Sequence, residues 1–491
     1  MNYSVVIYIL GWIMEIEAAF LALPGIVSAI YGEKGGFAFL WVALGSAVAG
    51  SAIILRKPKN MRFYLREGFV TVALSWILMS VIGCLPFVIN GDIPHFADAL
   101  FEMISGFTTT GATVVSDVEG LTKGSLFWRS FSHWIGGMGV LVFILAILPM
   151  AGDYDMHIMA GGSHMNLMKA ESTGPSVGKL VPKVRQTAKY LYIIYFALTM
   201  IEVIFLLFGG MNLFEALTTS FGTAGTGGFA IWNDGFVSVS PYNQWVVTIF
   251  MLLFGVNFGF YFLILTGKLR DALKFEEVRI YFIIVIAAAV FIFINLRHFA
   301  LYAPAEGIRQ AFFQVASIIT TTGFASADFN LWPETSRTIL VLLMFIGACA
   351  GSTGGGIKVS RFIIACKSFI KEIISYLHPR SVKKIKIEGK PLEHETLRAT
   401  NVYFMTYMVI FAVSVLLVSI ENKDLVTNFA AVAATFNNIG PGLSLVGPMA
   451  NFGHFTDFTK YILMFDMLAG RLEIFPMMLL FCPAVWKRRR A

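Results

Sequence analysis

Thr108-Thr109-Thr110-Gly111-Ala112 and Thr320-Thr321-Thr322-Gly323-Phe324-Ala325 place one small polar stretch twice in a single chain, each time behind an apolar run. Two more stretches stand in comparable places: Ala224-Gly225-Thr226-Gly227-Gly228-Phe229-Ala230 and Asn437-Asn438-Ile439-Gly440-Pro441-Gly442. None of the four carries side chains for acid–base or nucleophilic work. What they offer is backbone. Inward-turned carbonyls can replace the hydration shell of a potassium ion, and glycine supplies the positive φ that aims successive carbonyls the same way. The small Thr, Ala and Asn residues can hydrogen-bond outward and hold such a loop. No acidic ring is present, so the chemistry suits K⁺ better than Ca²⁺ or Mg²⁺, which prefer carboxylate-rich sites.

Gly-Phe-Ala is common to the second and third stretches and aligns Gly228 with Gly323. The candidate ion-binding residues are therefore Thr109, Thr110 and Gly111; Thr226, Gly227 and Gly228; Thr321, Thr322 and Gly323; and Asn438, Ile439 and Gly440. In the second stretch Gly225 or Gly227 can also take the key glycine position.

The elements that must position these loops follow from composition. The chain has 491 residues, 57% hydrophobic and only 14% charged, against about 25% charged in soluble domains. Segments long enough to cross a bilayer, about 20 apolar residues each, fall at about 4–31, 37–55, 68–90, 124–150, 187–209, 243–267, 278–298, 337–374, 399–420 and 455–486. Shorter apolar segments at about 95–107, 211–222, 305–319 and 424–436 precede the four loops; their length fits re-entrant helices. A unit of span, short helix, polar loop and span thus recurs four times. The expected fold is an all-α polytopic membrane protein: a leading two-helix hairpin (1–60), then four parallel pseudo-repeats around one pore (61–155, 180–270, 275–375 and 395–491). Each short helix would aim its C-terminal end, about −0.5 charge, at the pore axis, which favours a cation.

Net charge is +7, and the basic residues cluster in the connectors before each unit, as in Arg56, Lys57, Lys59, Arg62 and Arg66, with "WKRRRA" at the end. By the positive-inside rule these connectors and the C-terminus are cytoplasmic, and the loops enter from the outer face. The basic balance therefore reads as orientation in a lipid bilayer, not as nucleic-acid binding. The N-terminal apolar run reads as a retained span. Cys84, Cys349, Cys366 and Cys482 form no CxxC pair and read as packed thiols.

A second constellation lies below the loops. "GACAGSTGGGIKVSR", residues 347–361, interrupts a spanning segment with Gly351, Ser352, Thr353, Gly354, Gly355 and Gly356. Each helical glycine costs about 1 kcal/mol, so this reads as a loop inside the membrane; a close-packed small-residue helix face is the competing reading. Arg471 lies within the last span, where a charge is a functional hypothesis by default. It either faces the pore and repels cations, or it forms a structural salt bridge with Asp466 or Glu473. Residues two apart on a helix do not face each other, which makes Glu473 the poorer partner.

Enzyme chemistry finds no support: HExxH and GxSxG are absent, "LEHETLRA" lacks a second metal ligand and His164 stands alone. A secondary transporter of another small solute, or of Na⁺ with K⁺, is the alternative. Such proteins often carry inverted repeats that aim helix N-termini at the substrate, whereas these repeats are parallel and present C-termini.

"SGFTTTGATVV", "AFFQVASIITTTGF", "GACAGSTGGGIK", "FNNIGPGL" and "GRLEIF" together resemble the TrkH/KtrB superfamily of potassium transporters, TrkH branch, over essentially the whole chain. Loop two, without TTTG, is the weakest match. The resemblance implies K⁺ as substrate, a gate at the glycine loop and Arg471, and a homodimer in the bacterial cytoplasmic membrane with one pore per subunit. It also implies a cytoplasmic TrkA-type ring controlling opening, with any nucleotide (NAD or ATP/ADP) on that partner and no cofactor on this chain.

Overall fold

A computed structural model describes residues 1–59, 64–139, 184–378, 384–388 and 390–487. Two helices, α1 (Tyr3–Ile30) and α2 (Gly36–Ile54), lead the chain as a hairpin. They approach closely through small residues: a Cβ added to Gly36 would stand 2.5 Å from the Ser28 Cβ, the kind of contact by which helices pack in lipid.

One order of elements then recurs. A long helix, α3 (Leu65–Asn90), leads to the short α4 (Phe96–Phe107), an irregular loop, and α5 (Lys123–Gly137). The same order returns as α6 (Val184–Phe208), α7 (Leu213–Gly225) and α8 (Pro241–Phe254), followed by α9 (Phe258–Leu265) and α10 (Leu269–Ala272). It returns again as α11 (Glu276–His298), α12 (Pro304–Ile319) and α13 (Glu334–Ile346), followed by α14 (Val359–Leu377). A two-residue strand pair, β1 (Lys386–Ile387) with β2 (Lys390–Pro391), comes next. The last set is α15 (His394–Val418), α16 (Leu425–Phe436), α17 (Asp457–Arg471), α18 (Phe475–Leu480) and α19 (Pro483–Trp486).

Local sequence explains where the short helices start. Asn212 accepts the Glu215 N–H at 2.9 Å while Glu215 reaches back to the Asn212 N–H at 3.1 Å, a capping box at the head of α7. Asp424 caps α16 by accepting from Thr427 N at 3.0 Å, and α12 opens with Pro304 at its first turn.

Among the described residues, six helices are long and apolar enough to cross a membrane. Their outward faces fit lipid and not water: Ile283, Ile286 and Phe291 on α11 and Met405, Val409 and Leu416 on α15 are all exposed. Other segments read as single spans are interrupted. The 243–267 segment bends by 89° between α8 and α9: α8 ends with Gly255 as its cap, and Asn257 caps α9, accepting from Gly259 N at 2.8 Å. The 337–374 segment breaks over 347–358, as its glycines lead one to expect. The 455–486 segment breaks at Glu473 and Ile474, both at positive φ. In the 124–150 segment α5 ends at Gly137; residues 140–150 lie outside the described residues.

Candidate ion site

The short helices α4, α7, α12 and α16 end in the same way. Their chains turn into the left-handed region at Thr109 (φ 55°), Thr226 (55°), Thr321 (59°) and Asn438 (55°), and again two residues on at Gly111 (76°), Gly228 (77°), Gly323 (84°) and Gly440 (96°). Each turn closes as a Schellman-type cap: Thr110 N, Gly227 N, Thr322 N and Ile439 N donate to the carbonyls of Ser105, Gly222, Ser317 and Ala434 at 2.8–2.9 Å. The glycine that takes the positive φ in loop two is therefore Gly228, neither Gly225 nor Gly227. A left-handed residue other than glycine costs about 1–2 kcal/mol, and threonine is among the least suited. Such strain persists only where the surroundings over-determine it. Here all four residues are completely buried.

The surroundings consist of hydroxyl and amide ties. Thr108 and Thr110 share a hydrogen bond at 2.8 Å, and Thr320 and Thr322 one at 2.7 Å. Asn438 Nδ2 donates to Thr110 Oγ1 at 3.0 Å and to Met467 O at 2.9 Å, while Tyr407 donates to Asn437 Oδ1 at 3.0 Å. These ties join loop four to loop one and anchor it to α15 and α17.

The loops abut one another in cyclic order. A Cβ added to Gly111 would lie 2.0 Å from the Gly227 carbonyl oxygen, one on Gly228 2.1 Å from that of Thr322, one on Gly323 1.9 Å from that of Ile439, and one on Gly440 2.7 Å from that of Thr110. No side chain fits at any of these points. The chain beyond the loops repeats the order: Val118 N donates to Asn233 Oδ1 (2.7 Å), Phe236 N to Ala325 O (2.8 Å), Ser444 N to Asn330 Oδ1 (3.0 Å) and Phe452 N to Thr113 O (2.8 Å). Inside this collar lies an open recess of 130 Å³ whose floor includes Gly111, Gly228, Gly323 and Gly440. Asp117 and Asp328 lie outside the loops, Asp117 against Asn233 Nδ2 at 2.9 Å and Asp328 capping the turn at Asn330.

Residues that the loop motifs do not reveal stand behind them. Arg129 on α5 and Glu102 on α4 form a buried pair at 2.8 Å. Glu102 also accepts from Thr113 Oγ1 at 2.9 Å and Val114 N at 3.0 Å. His133, one turn beyond Arg129, contacts Gly106 O at 2.7 Å and Phe229 N at 3.2 Å. A charge inside a spanning segment was the available signal; its partners, remote in sequence, were not legible.

The glycine stretch lies against the other side of the loops. Gly355 N donates to Thr321 Oγ1 at 2.6 Å, and a Cβ on Gly355 would stand 2.8 Å from Asn437 O. Its flanks rest on the α8–α9 bend: Cys349 N donates to Gly255 O at 3.1 Å and Phe258 N to Gly351 O at 3.0 Å. Thr353 Oγ1 donates to Phe254 O at 3.2 Å. The buried carboxylate of Glu277 accepts from Ala350 N at 2.7 Å and Ser360 N at 3.0 Å, pinning both ends. Ser352 and Gly354 complete the stretch: Ser352 Oγ donates to Cys349 O at 2.6 Å, and the Gly354 carbonyl accepts from Lys358 Nζ.

Arg471 ends α17 and reaches across: its guanidinium donates to Thr353 O at 2.8 Å and to the carbonyls of Gly136 and Gly137 at 2.6 and 2.8 Å. Neither carboxylate weighed as its partner is engaged with it in these contacts; Asp466 accepts from Ser414 at 2.7 Å, and Glu473 pairs with Arg361. Cys84 and Cys349 are buried, Cys366 and Cys482 exposed, and all four are free thiols.

A multi-pass helical membrane protein that gathers four helix C-termini around bare backbone is a protein built for ion transport. The chain belongs to the TrkH family of cation transport proteins, whose match covers residues 37–488; it is a transport protein and not an enzyme. It is 36% identical over 500 residues to the Trk system potassium uptake protein TrkH of Escherichia coli strain K12, covering 99% of this chain and 100% of that one. It is 31% identical over 494 residues to TrkG of the same strain, covering 99% of each. The crystal structure of the potassium transporter TrkH from Vibrio parahaemolyticus superposes with a TM-score of 0.87 at 32% identity, covering 99% of this chain and 100% of that one.

Proposed function

We propose that this chain takes up K⁺ across the bacterial cytoplasmic membrane through a channel-like pore. Its filter is the backbone of the four loops, from Thr109–Gly111, Thr226–Gly228, Thr321–Gly323 and Asn438–Gly440, one from each of four quarter units. The observation that carries this reading is the shared pair of left-handed residues in four loops whose glycines abut the next loop's carbonyl. Sequence-distant segments adopt one strained conformation where a ring needs it. The four helix C-termini behind the loops add negative potential, which suits a cation.

The gate is the stretch Gly351–Gly356 with Arg471. A guanidinium beneath the filter repels cations, and each hydrogen bond from a charged group is worth about 1.5–3 kcal/mol net. One such bond holds the stretch at Thr353 and two anchor the guanidinium to α5 at Gly136 and Gly137, so the closed arrangement is favoured by an amount that a regulatory partner can overcome. That partner is a cytoplasmic TrkA-type ring which itself carries the nucleotide. The protein works as a homodimer, as the family resemblance implies, and the Lys/Arg distribution supports basic connectors and a C-terminus in the cytoplasm.

The test is growth of a potassium-uptake-deficient bacterium on limiting K⁺. Expression of this chain with the regulatory subunit should restore growth; absence of rescue from confirmed membrane-inserted protein would falsify the reading.

A further inference from the structure

We propose that His133, together with Arg129, is a positioning residue of the second filter loop, filling from α5 the space that the other three loops fill with their own side chains. This rests on the carbonyl-filter reading above. In loops one and three the residues on either side of the left-handed threonine carry hydroxyls that tie to each other, Thr108 to Thr110 and Thr320 to Thr322. In loop four they are Asn437 and Ile439. In loop two they are Gly225 and Gly227, which offer nothing.

Conformation does not demand glycine at 227: the positive φ falls on Thr226 and Gly228. Room does. A Cβ on Gly227 would lie 2.1 Å from Cγ of the His133 ring, and one on Gly225 2.2 Å from the His133 carbonyl oxygen. The imidazole occupies the place where a threonine side chain sits in the neighbouring loops. It is also fixed at both ends. The Gly106 carbonyl can only accept, so Nδ1 carries the proton there, and Nε2 accepts from Phe229 N. One ring thus ties α4 to loop two. Phe229 is also held by Arg129, whose guanidinium lies 4.2 Å from its ring centre, with the imidazole 4.3 Å away.

The Arg129–Glu102 pair extends the clamp to loop one through Thr113 and Val114. In the third unit the corresponding residue ahead of the loop is the neutral Gln314, which faces Ser326 and Ala327. A buried ion pair is seldom a net source of stability compared with apolar packing, and Gln314 holds the chain behind loop three through neutral contacts. Arg129 also reaches loop two, with Nη1 3.4 Å from Ala230 O and the guanidinium over the Phe229 ring, so the pair joins loops one and two and points to placement of their carbonyls.

The experiment uses the full chain reconstituted in liposomes, with rubidium tracer uptake competed by K⁺ or Na⁺. His133→Ala and Gly227→Thr should each lower the preference for K⁺ over Na⁺ about tenfold, equivalent to about 1.4 kcal/mol between the two ions. The double variant, which empties the imidazole's space and refills it from the loop, should recover most of that preference. A monodisperse His133→Ala protein with wild-type preference, or a double variant no better than the singles, overturns the proposal. If His133→Ala alone does not yield folded protein, recovery of both fold and preference in the double supports it. Recovery of fold without preference overturns it. Gly323→Ser run alongside separates the two levels: a change there with none at His133 removes this inference and leaves the filter, whereas no change at either removes the filter itself.

Discussion

The two faces of the ion site are built by opposite means. On one side, four loops hold eight left-handed residues, Thr109, Thr226, Thr321 and Asn438 among them completely buried, each loop wedged against the next with no room for a methyl group. On the other, a single glycine-rich stretch leaves the helix and is pinned by a few polar contacts: Glu277 at its ends, Thr321 at its top and Arg471 across its middle. The loops spend strain to fix positions, since a tightly packed interior does not deform continuously. The stretch spends glycines and hydrogen bonds, which can be broken one at a time and remade. The first kind of construction is what the proposed filter needs, and the second what the proposed gate needs.

The sharpest way to break the comparison is to put a side chain into the rigid part. Gly323→Ser adds a Cβ at φ 84° and 1.9 Å from the Ile439 carbonyl. The conformational penalty alone is about 1–2 kcal/mol. We expect K⁺ uptake to fall by about tenfold or more, with K⁺-over-Na⁺ preference lost; wild-type flux ratios for the two ions would sink the rigid-ring account. Shortening the soft part should act the other way. Deletion within Gly351–Gly356 should raise K⁺ flux while leaving ion preference intact, as measured by tracer uptake in liposomes. Unchanged flux in a folded deletion would count against the gate. Smaller again is Arg471→Ala. Three donors to Thr353, Gly136 and Gly137 are lost, and the stretch stays tied by Glu277. Flux should rise several-fold, less than in the deletion; equal or lower flux than wild type would show that the guanidinium is structural.

How much of this was legible follows the range of the interactions. The short helices lie within a few residues of the positions expected from apolar length, because their ends are set by local caps such as Asn212 and Asp424. The glycine break at 347–358 was legible for the same reason. The left-handed threonines were not: propensity argues against Thr109 and Thr321 at positive φ, and only the packed ring holds them there. The break at Glu473 and Ile474 carries no glycine and rests on tertiary contacts such as Glu473 with Arg361. His133 was invisible because what it replaces is absent from loop two, and its partner Phe229 lies far along the chain.

The cyclic order of the loops also has a consequence in time. Asn438 reaches Thr110 across 328 residues of sequence, and Gly440 completes the enclosure of loop one. During synthesis the first loop therefore leaves the ribosome long before the group that braces it exists, and must wait in a half-made wall. The N-terminal amine donates to Lys487 O at 3.1 Å, so Met1 and Lys487 finish side by side. Assembly is completed by the last segment inserted. A product truncated before Asn438 should have most of its helices in the membrane and leave the first loop without this brace.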